Sequence, residues 1–127
     1  PKGVSDTLLQ DLWRKVVRAE WGNKCAFRDA TCYGALQCHH IVERARPHLK
    51  HIPTNGILLC VRHHGWAGTR AGRQRIAWRR GKDDMEYLDA LEALLFPEYL
   101  RAHGQTMLEH MRYMKDTLTH LLPKDIA

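Results

Sequence analysis

Apolar positions recur along this chain with two different periods, and the switches between them divide it. Over residues 5–21, Leu8, Leu9, Leu12, Val16 and Val17 return three and four positions apart, the spacing of one helix face. Ser5 stands before that run as an N-cap, and Gly22-Asn23 follows it as a stop signal. Residues 24–36 are polar and turn-rich. Two compact apolar runs come next, 36–42 and 56–61, each of strand length, joined by a basic loop that holds Pro47 and Pro53. A short helix should then begin near Arg62 and run to about Ala67. Residues 69–82 lose the apolar pattern, and helical spacing resumes after Asp83 with Met85, Leu88, Leu91, Leu94 and Leu95. Pro97 opens a further helix at the position helices tolerate best. Gly104 interrupts it, and Thr106-x-x-Glu109 supplies a capping box for a last helix through Leu122. The pattern predicts an α+β chain, mostly helical, with a helix, two strands and a short helix ahead of a helical extension.

Met107, Met111, Met114 and Leu118 form a stripe at helical spacing in that extension, a packing surface either within the chain or at a homodimer interface. The length, 127 residues, suits a single domain over 1–127. No stretch of about 18 apolar residues occurs, so no membrane-spanning helix and no membrane partner are expected. The first residues lack an apolar signal core, which points to an intracellular, reducing compartment. In that setting four cysteines read as metal ligands or packed thiols before they read as disulfides. The formal charge of +6, from 20 basic and 14 acidic residues, favours an anionic partner, with nucleic acid foremost.

The chemistry concentrates at the ends of the two strand runs. Cys38-His39-His40-Ile41-Val42 closes the first, and Asn55-Gly56-Ile57-Leu58-Leu59-Cys60 leads into His63-His64 at the second. Imidazole both binds cations and moves protons near neutral pH. A doublet in which one ring holds a cation and its neighbour takes a proton from water is a hydrolytic arrangement. Neighbouring strand residues face opposite ways, so both rings can serve one phosphate only where the strand ends or bends, or where the phosphate straddles its edge.

With His39-His40-Ile41, Asn55-Gly56-Ile57, Leu59-Cys60 and His63-His64 in this order, the sequence resembles the HNH endonucleases of the ββα-metal (His-Me finger) superfamily, particularly small phage-type members. The resemblance covers residues 22–68, which it casts as the ββα-metal core, with 69–82 as a basic segment and 83–122 as a helical C-terminal extension. It implies that His39 and His64 hold the catalytic divalent cation, that His40 is the general base, and that Asn55 orders the loop between the strands. It also implies phosphodiester hydrolysis leaving 5′-phosphate and 3′-hydroxyl ends. The setting would be a phage or prophage in a bacterial cytoplasm, with DNA-packaging or other DNA-processing proteins as further partners. Relatives often add a ligand four residues after the position of His64, and here that residue is Gly68. The vacant position falls to water, a phosphate oxygen, or a loop residue such as His48 or His51, although both of those read first as solvated. Asn55 also has a plainer role as a turn residue before Gly56. Ligand type leaves the catalytic cation open among Mg, Mn, Ni, Co and Zn.

A second metal site, structural zinc, is assigned to Cys25, Cys32, Cys60 and His63. Resembled zinc-containing relatives bracket the strands with two Cys-x-x-Cys knuckles. Here the second is Cys60-x-x-His63, and the first is stretched to Cys25 and Cys32. Cys38 competes with Cys32. We favour Cys32, because Cys38 abuts the doublet and alternates with Leu36 on a strand face.

Arg44, Arg46 and Lys50 in the interstrand loop, with Arg70, Arg73, Arg75, Arg79 and Arg80 beyond the core, are the expected DNA-phosphate contacts. No helix is marked for reading the major groove, so weakly sequence-selective cleavage is expected. The alternative is a non-catalytic, zinc-stabilised DNA-binding module, which would keep the Cys/His set but have no use for His40 or His64.

Overall fold

The computed structural model describes residues 3–43 and 46–124. Helix α1 (Asp6–Glu20) is started by Ser5, whose hydroxyl accepts from the Leu8 amide at 3.1 Å. Strands β1 (Leu36–His40) and β2 (Gly56–Cys60) pair antiparallel with Leu36 opposite Cys60 and His40 opposite Gly56. Helix α2 (Val61–Trp66) leaves directly from β2, and α3 (Arg70–Arg80), α4 (Lys82–Glu92), α5 (Phe96–Ala102) and α6 (Met107–Leu121) follow.

Both strands end earlier than their apolar runs. Beyond His40 the Ile41 amide donates to the Asn55 carbonyl, and the Val42 amide donates to the Asn55 side chain at 2.7 Å. One asparagine thus takes over the hydrogen bonds that a longer β2 would have made. The basic segment is itself helical. Thr69 caps α3 by accepting from the Gly72 amide, and Gly81 at φ 104° turns the chain into α4, a conformation that favours glycine. The capping box before α6 forms in both directions, with Glu109 accepting from the Thr106 amide at 2.9 Å and Thr106 accepting from the Glu109 amide at 3.1 Å.

The core gathers where α1 lies against the hairpin. Leu9, Trp13, Val16 and Val17 are buried on α1, Trp13 and Val17 lie against Gly56 of β2, and β2 is buried along its whole length. Helix α6 packs along α1 and buries Met114 and Leu118, while Met107 stands 55% exposed at its start. The stripe at 111–118 is therefore packing within the chain. Among the described residues no helix is long and apolar enough to cross a membrane.

Two loop histidines expected in solvent are buried instead. His48 is 1% exposed, donates from Nε2 to the Leu91 carbonyl at 2.7 Å and stacks on Tyr99, so α4 and α5 close over the loop. His51 is covered as well, with Nε2 3.3 Å from the Asp6 carboxylate. His110 on α6 is buried against Phe96 and Tyr99. Burial, reinforced by His48 and His103, pushes His110 down to about 4. Burial does the same to His51, where Lys50, His40 and His110 act with it and Asp6 acts against it. Each ring is neutral when folded and gains its proton more readily when unfolded. Stability should therefore fall as pH drops from the ordinary histidine range toward 4, by at most about 1.4 kcal/mol per pH unit for each ring. Thermal melts between pH 7 and pH 4.5 should show this acid slope, and His110→Gln should flatten it. An unchanged slope would place the acid sensitivity elsewhere.

Candidate metal centre and active site

The loop after α1, the end of β2 and the first turns of α2 bring four soft or borderline donors to one point. Cys25, Cys32 and Cys60 place their sulfurs 3.5, 3.7 and 3.1 Å from Nδ1 of His63, and all four donor atoms lie within 4.8 Å of one another. In tetrahedral zinc, bonds of about 2.3 Å to sulfur and about 2.0 Å to nitrogen put those donors about 3.5 Å apart. The set therefore has the spacing and chemistry to hold a metal ion such as zinc. Cys38 is not part of it, since its sulfur lies 3.7 Å from the Arg14 carbonyl on the α1 side.

The outer shell favours the same use. Nε2 of His63 lies 3.4 Å from the Asp29 carboxylate and 3.3 Å from the Thr31 hydroxyl, which leaves the Nδ1 lone pair toward the sulfurs. Asp29 also accepts from Arg75 at 2.9 Å. The Thr31 hydroxyl, helped by Arg75 and working against burial, holds that carboxyl well below the usual carboxylate range. Burial would raise the Cys60 thiol, but hydrogen bonds from the His63 and Tyr33 backbones, with the neighbouring Cys25 thiol, bring it down to about 6. Cys32 is pushed up to about 11 by burial and by the neighbouring Cys25 and Cys60. The Cys60 thiolate thus forms readily, and that of Cys32 does not. Asp29 and Thr31 were not singled out from sequence, although Asp-x-Thr just before a cysteine is a turn signal that could have marked them.

The second constellation sits where β1 ends. His39 turns toward α2, and its ring lies 5.2 Å from that of His64, edge to face. Burial first, then His64 and His40, push His39 down to about 4, so it presents a neutral imidazole. His40 leaves the opposite face, as strand alternation requires. Its Nε2–H donates to the Lys50 carbonyl at 2.9 Å, and its ring stacks on Trp13 at 4.0 Å. Neither His48 nor His51 turns toward His39 and His64, their Nε2 atoms being directed at Leu91 and Asp6.

Asn55 is fully buried and works on the loop. Its amide nitrogen donates to the carbonyls of Val42 and Leu49, both at 3.0 Å, and its oxygen accepts from the Val42 amide. Asn55→Ala would strand a buried amide and two buried carbonyls, a cost of about 2–4 kcal/mol. Chemical denaturation should register that loss, and a change below about 1 kcal/mol would contradict the role.

Several arginines expected to face DNA are committed to the protein. Arg75 pairs with Asp29 and lies over Phe27 at 4.2 Å. Arg79 donates to the Ala26 carbonyl and lies 4.7 Å over Trp21. Arg80, with its side chain 5% exposed, donates to Glu20 at 2.8 Å and pairs with Asp84 at 3.4 Å. The cause is the inward face of α3: Gly72 and Ile76 are buried, and their neighbours 75, 79 and 80 are drawn against α1 and the metal loop. Arg46 bonds the Glu92 carbonyl at 3.0 Å, Lys50 pairs with Asp6 at 2.9 Å, and Arg44 lies outside the described residues. Arg70 and Arg73 are exposed, the latter bonding back to the Gly68 carbonyl. Arg62, not anticipated, is exposed beside His63 and lines a 520 Å³ cleft with Thr31, Trp66 and Arg75. Of the Cys/His cluster that cleft includes His63 but none of the cysteines, and it includes neither His39 nor His64. Comparison of the chain with protein-family models, with curated proteins and with solved structures found no match.

Proposed function

We propose that this protein is a metal-dependent DNA endonuclease of the HNH type, with a structural zinc on Cys25, Cys32, Cys60 and His63. The observation that carries the reading is the hairpin end. There, His39 and His64 face each other at 5.2 Å, and the adjacent His40 is tethered through Nε2 to a backbone carbonyl. A non-catalytic module has no need for a tethered imidazole beside a second pair of donors.

His39 and His64, whose rings meet edge to face, would hold the catalytic cation. A divalent ion bound there supplies Lewis-acid stabilisation of charge on phosphate and on the departing 3′ oxygen. His40, with its proton fixed on Nε2, takes the proton of an attacking water on Nδ1. The water oxygen bonds phosphorus, the bond to the 3′ oxygen breaks, and that oxygen is protonated from solvent. The phosphate straddles the end of β1, which reconciles the opposite directions of His39 and His40. Asn55 holds the loop whose Lys50 carbonyl orients His40. The exposed positive surface offered to DNA is Arg62, Arg70 and Arg73. Phosphate contacts of this kind position a duplex without reading it.

Supercoiled plasmid should be nicked in the presence of Mn or Mg. Nicking should stop with chelator and return with added metal, in samples whose zinc content is checked throughout. Failure to nick with Mg, Mn, Ni, Co or Zn would overturn the reading.

A further inference from the structure

We propose that Trp13, on a helix outside the hairpin–helix unit, is a positioning residue for His40, and that Gly56 is the residue that lets it reach. The inference rests on the nuclease reading and adds to it a dependence on α1.

The indole of Trp13 and the imidazole of His40 are stacked with 6° between their planes and 4.0 Å between centroids. Trp13 is itself immobilised, with no exposed surface and with Nε1–H donating to the Ile52 carbonyl at 3.0 Å. His40 is thus held by two orthogonal constraints. The Lys50 carbonyl fixes one ring edge in its plane, and the indole fixes the plane itself. Both anchors converge on one loop, because the Trp13 hydrogen bond and the His40 tether end two residues apart, at Ile52 and Lys50.

Gly56 stands opposite His40 in the strand register. A Cβ there would collide with Cγ2 of Val17 and come within 3.0 Å of Cζ2 of Trp13. The bare backbone at this one position is what allows α1 to approach the hairpin closely enough for the stack. Trp21 adds a second tie, donating from Nε1 to the Gly56 carbonyl at 3.3 Å. A base must meet its water within hydrogen-bond reach, and misplacement by about 1 Å can cost about a hundredfold. A tryptophan serving only as core filling would affect stability without touching turnover per folded molecule.

Two variants separate these roles. Trp13→Leu keeps an apolar side chain but removes the ring face. Trp13→Phe keeps a ring face but loses the Nε1–H bond to Ile52. Steady-state plasmid nicking, below each variant's melting temperature and per zinc-loaded molecule, should show kcat lowered about 10- to 100-fold in Trp13→Leu with KM unchanged. Trp13→Phe should recover most of that rate although it too has lost a buried hydrogen bond. Imidazole NMR gives a readout independent of cutting. His40 should appear as one Nε2–H tautomer with ring-current-shifted protons in wild type and Trp13→Phe, and as an averaged ring in Trp13→Leu. If wild type cuts and Trp13→Leu cuts at the same kcat, the positioning role is overturned alone. If wild type cuts no DNA in any divalent metal while its His40 signals show a locked ring, the nuclease reading is overturned, and the catalytic meaning of the lock goes with it.

Discussion

His40→Ala is expected to nick plasmid at least about a hundredfold more slowly than wild type, the loss typical of a removed general base. It should keep its zinc, because His40 is remote in role from the cluster formed by Cys25, Cys32, Cys60 and His63. It should also keep the pair His39–His64, whose rings meet on the other face of β1. Some stability will be lost, since the ring stacks on Trp13 and donates to the Lys50 carbonyl. That cost is about 1 kcal/mol for the hydrogen bond and a similar amount for the stack. Rates should therefore be compared at a temperature where both proteins are folded. Wild-type cutting by the folded variant would remove His40 from the chemistry.

Cys60→Ser is expected to have the largest effect on stability. Its sulfur is closest to Nδ1 of His63, at 3.1 Å, and its thiol is brought down to about 6, so it supplies a thiolate readily. It is also the residue at which β2 passes into α2, the helix that carries His63 and His64. Losing the metal would release the loop at 25–32 and the start of α2 together. The expected cost is on the order of several kcal/mol, a large share of the stability of a domain this size. Metal analysis should find the zinc gone from Cys60→Ser and Cys25→Ser and retained in Cys38→Ser, whose sulfur faces the Arg14 carbonyl. Zinc lost from Cys38→Ser and kept in Cys32→Ser would reverse the ligand assignment.

What the sequence made legible was local. Ser5 as a cap, the Thr106–Glu109 box and the apolar periodicity of α1 and α6 are written in residues three or four apart, and the folded chain uses them as such. The Cys/His set was legible from residue type. Its outer shell was not, because Asp29 meets His63 across more than thirty residues. Histidines misled for the same reason. His48 looks like a solvated loop residue until the Leu91 carbonyl, 43 residues away, is found to accept its hydrogen bond. The arginines of α3 look like one DNA-facing run, yet Arg75, Arg79 and Arg80 are turned inward by Phe27, Trp21 and Glu20, partners that no local pattern announces. Trp13 was not singled out from the sequence. Its contact with His40 depends on Gly56 lying opposite in the register, which only the paired strands reveal.

Plasmid nicking across a manganese titration, with wild type and His64→Ala compared and zinc content assayed in the same samples, tests most directly whether catalysis uses a cation on His39 and His64 distinct from the Cys/His cluster. Both proteins should carry one zinc. Wild type should nick in proportion to added metal, and His64→Ala should need at least about tenfold more metal or fail to cut. The same metal dependence in both proteins, or loss of the zinc from His64→Ala, would contradict it.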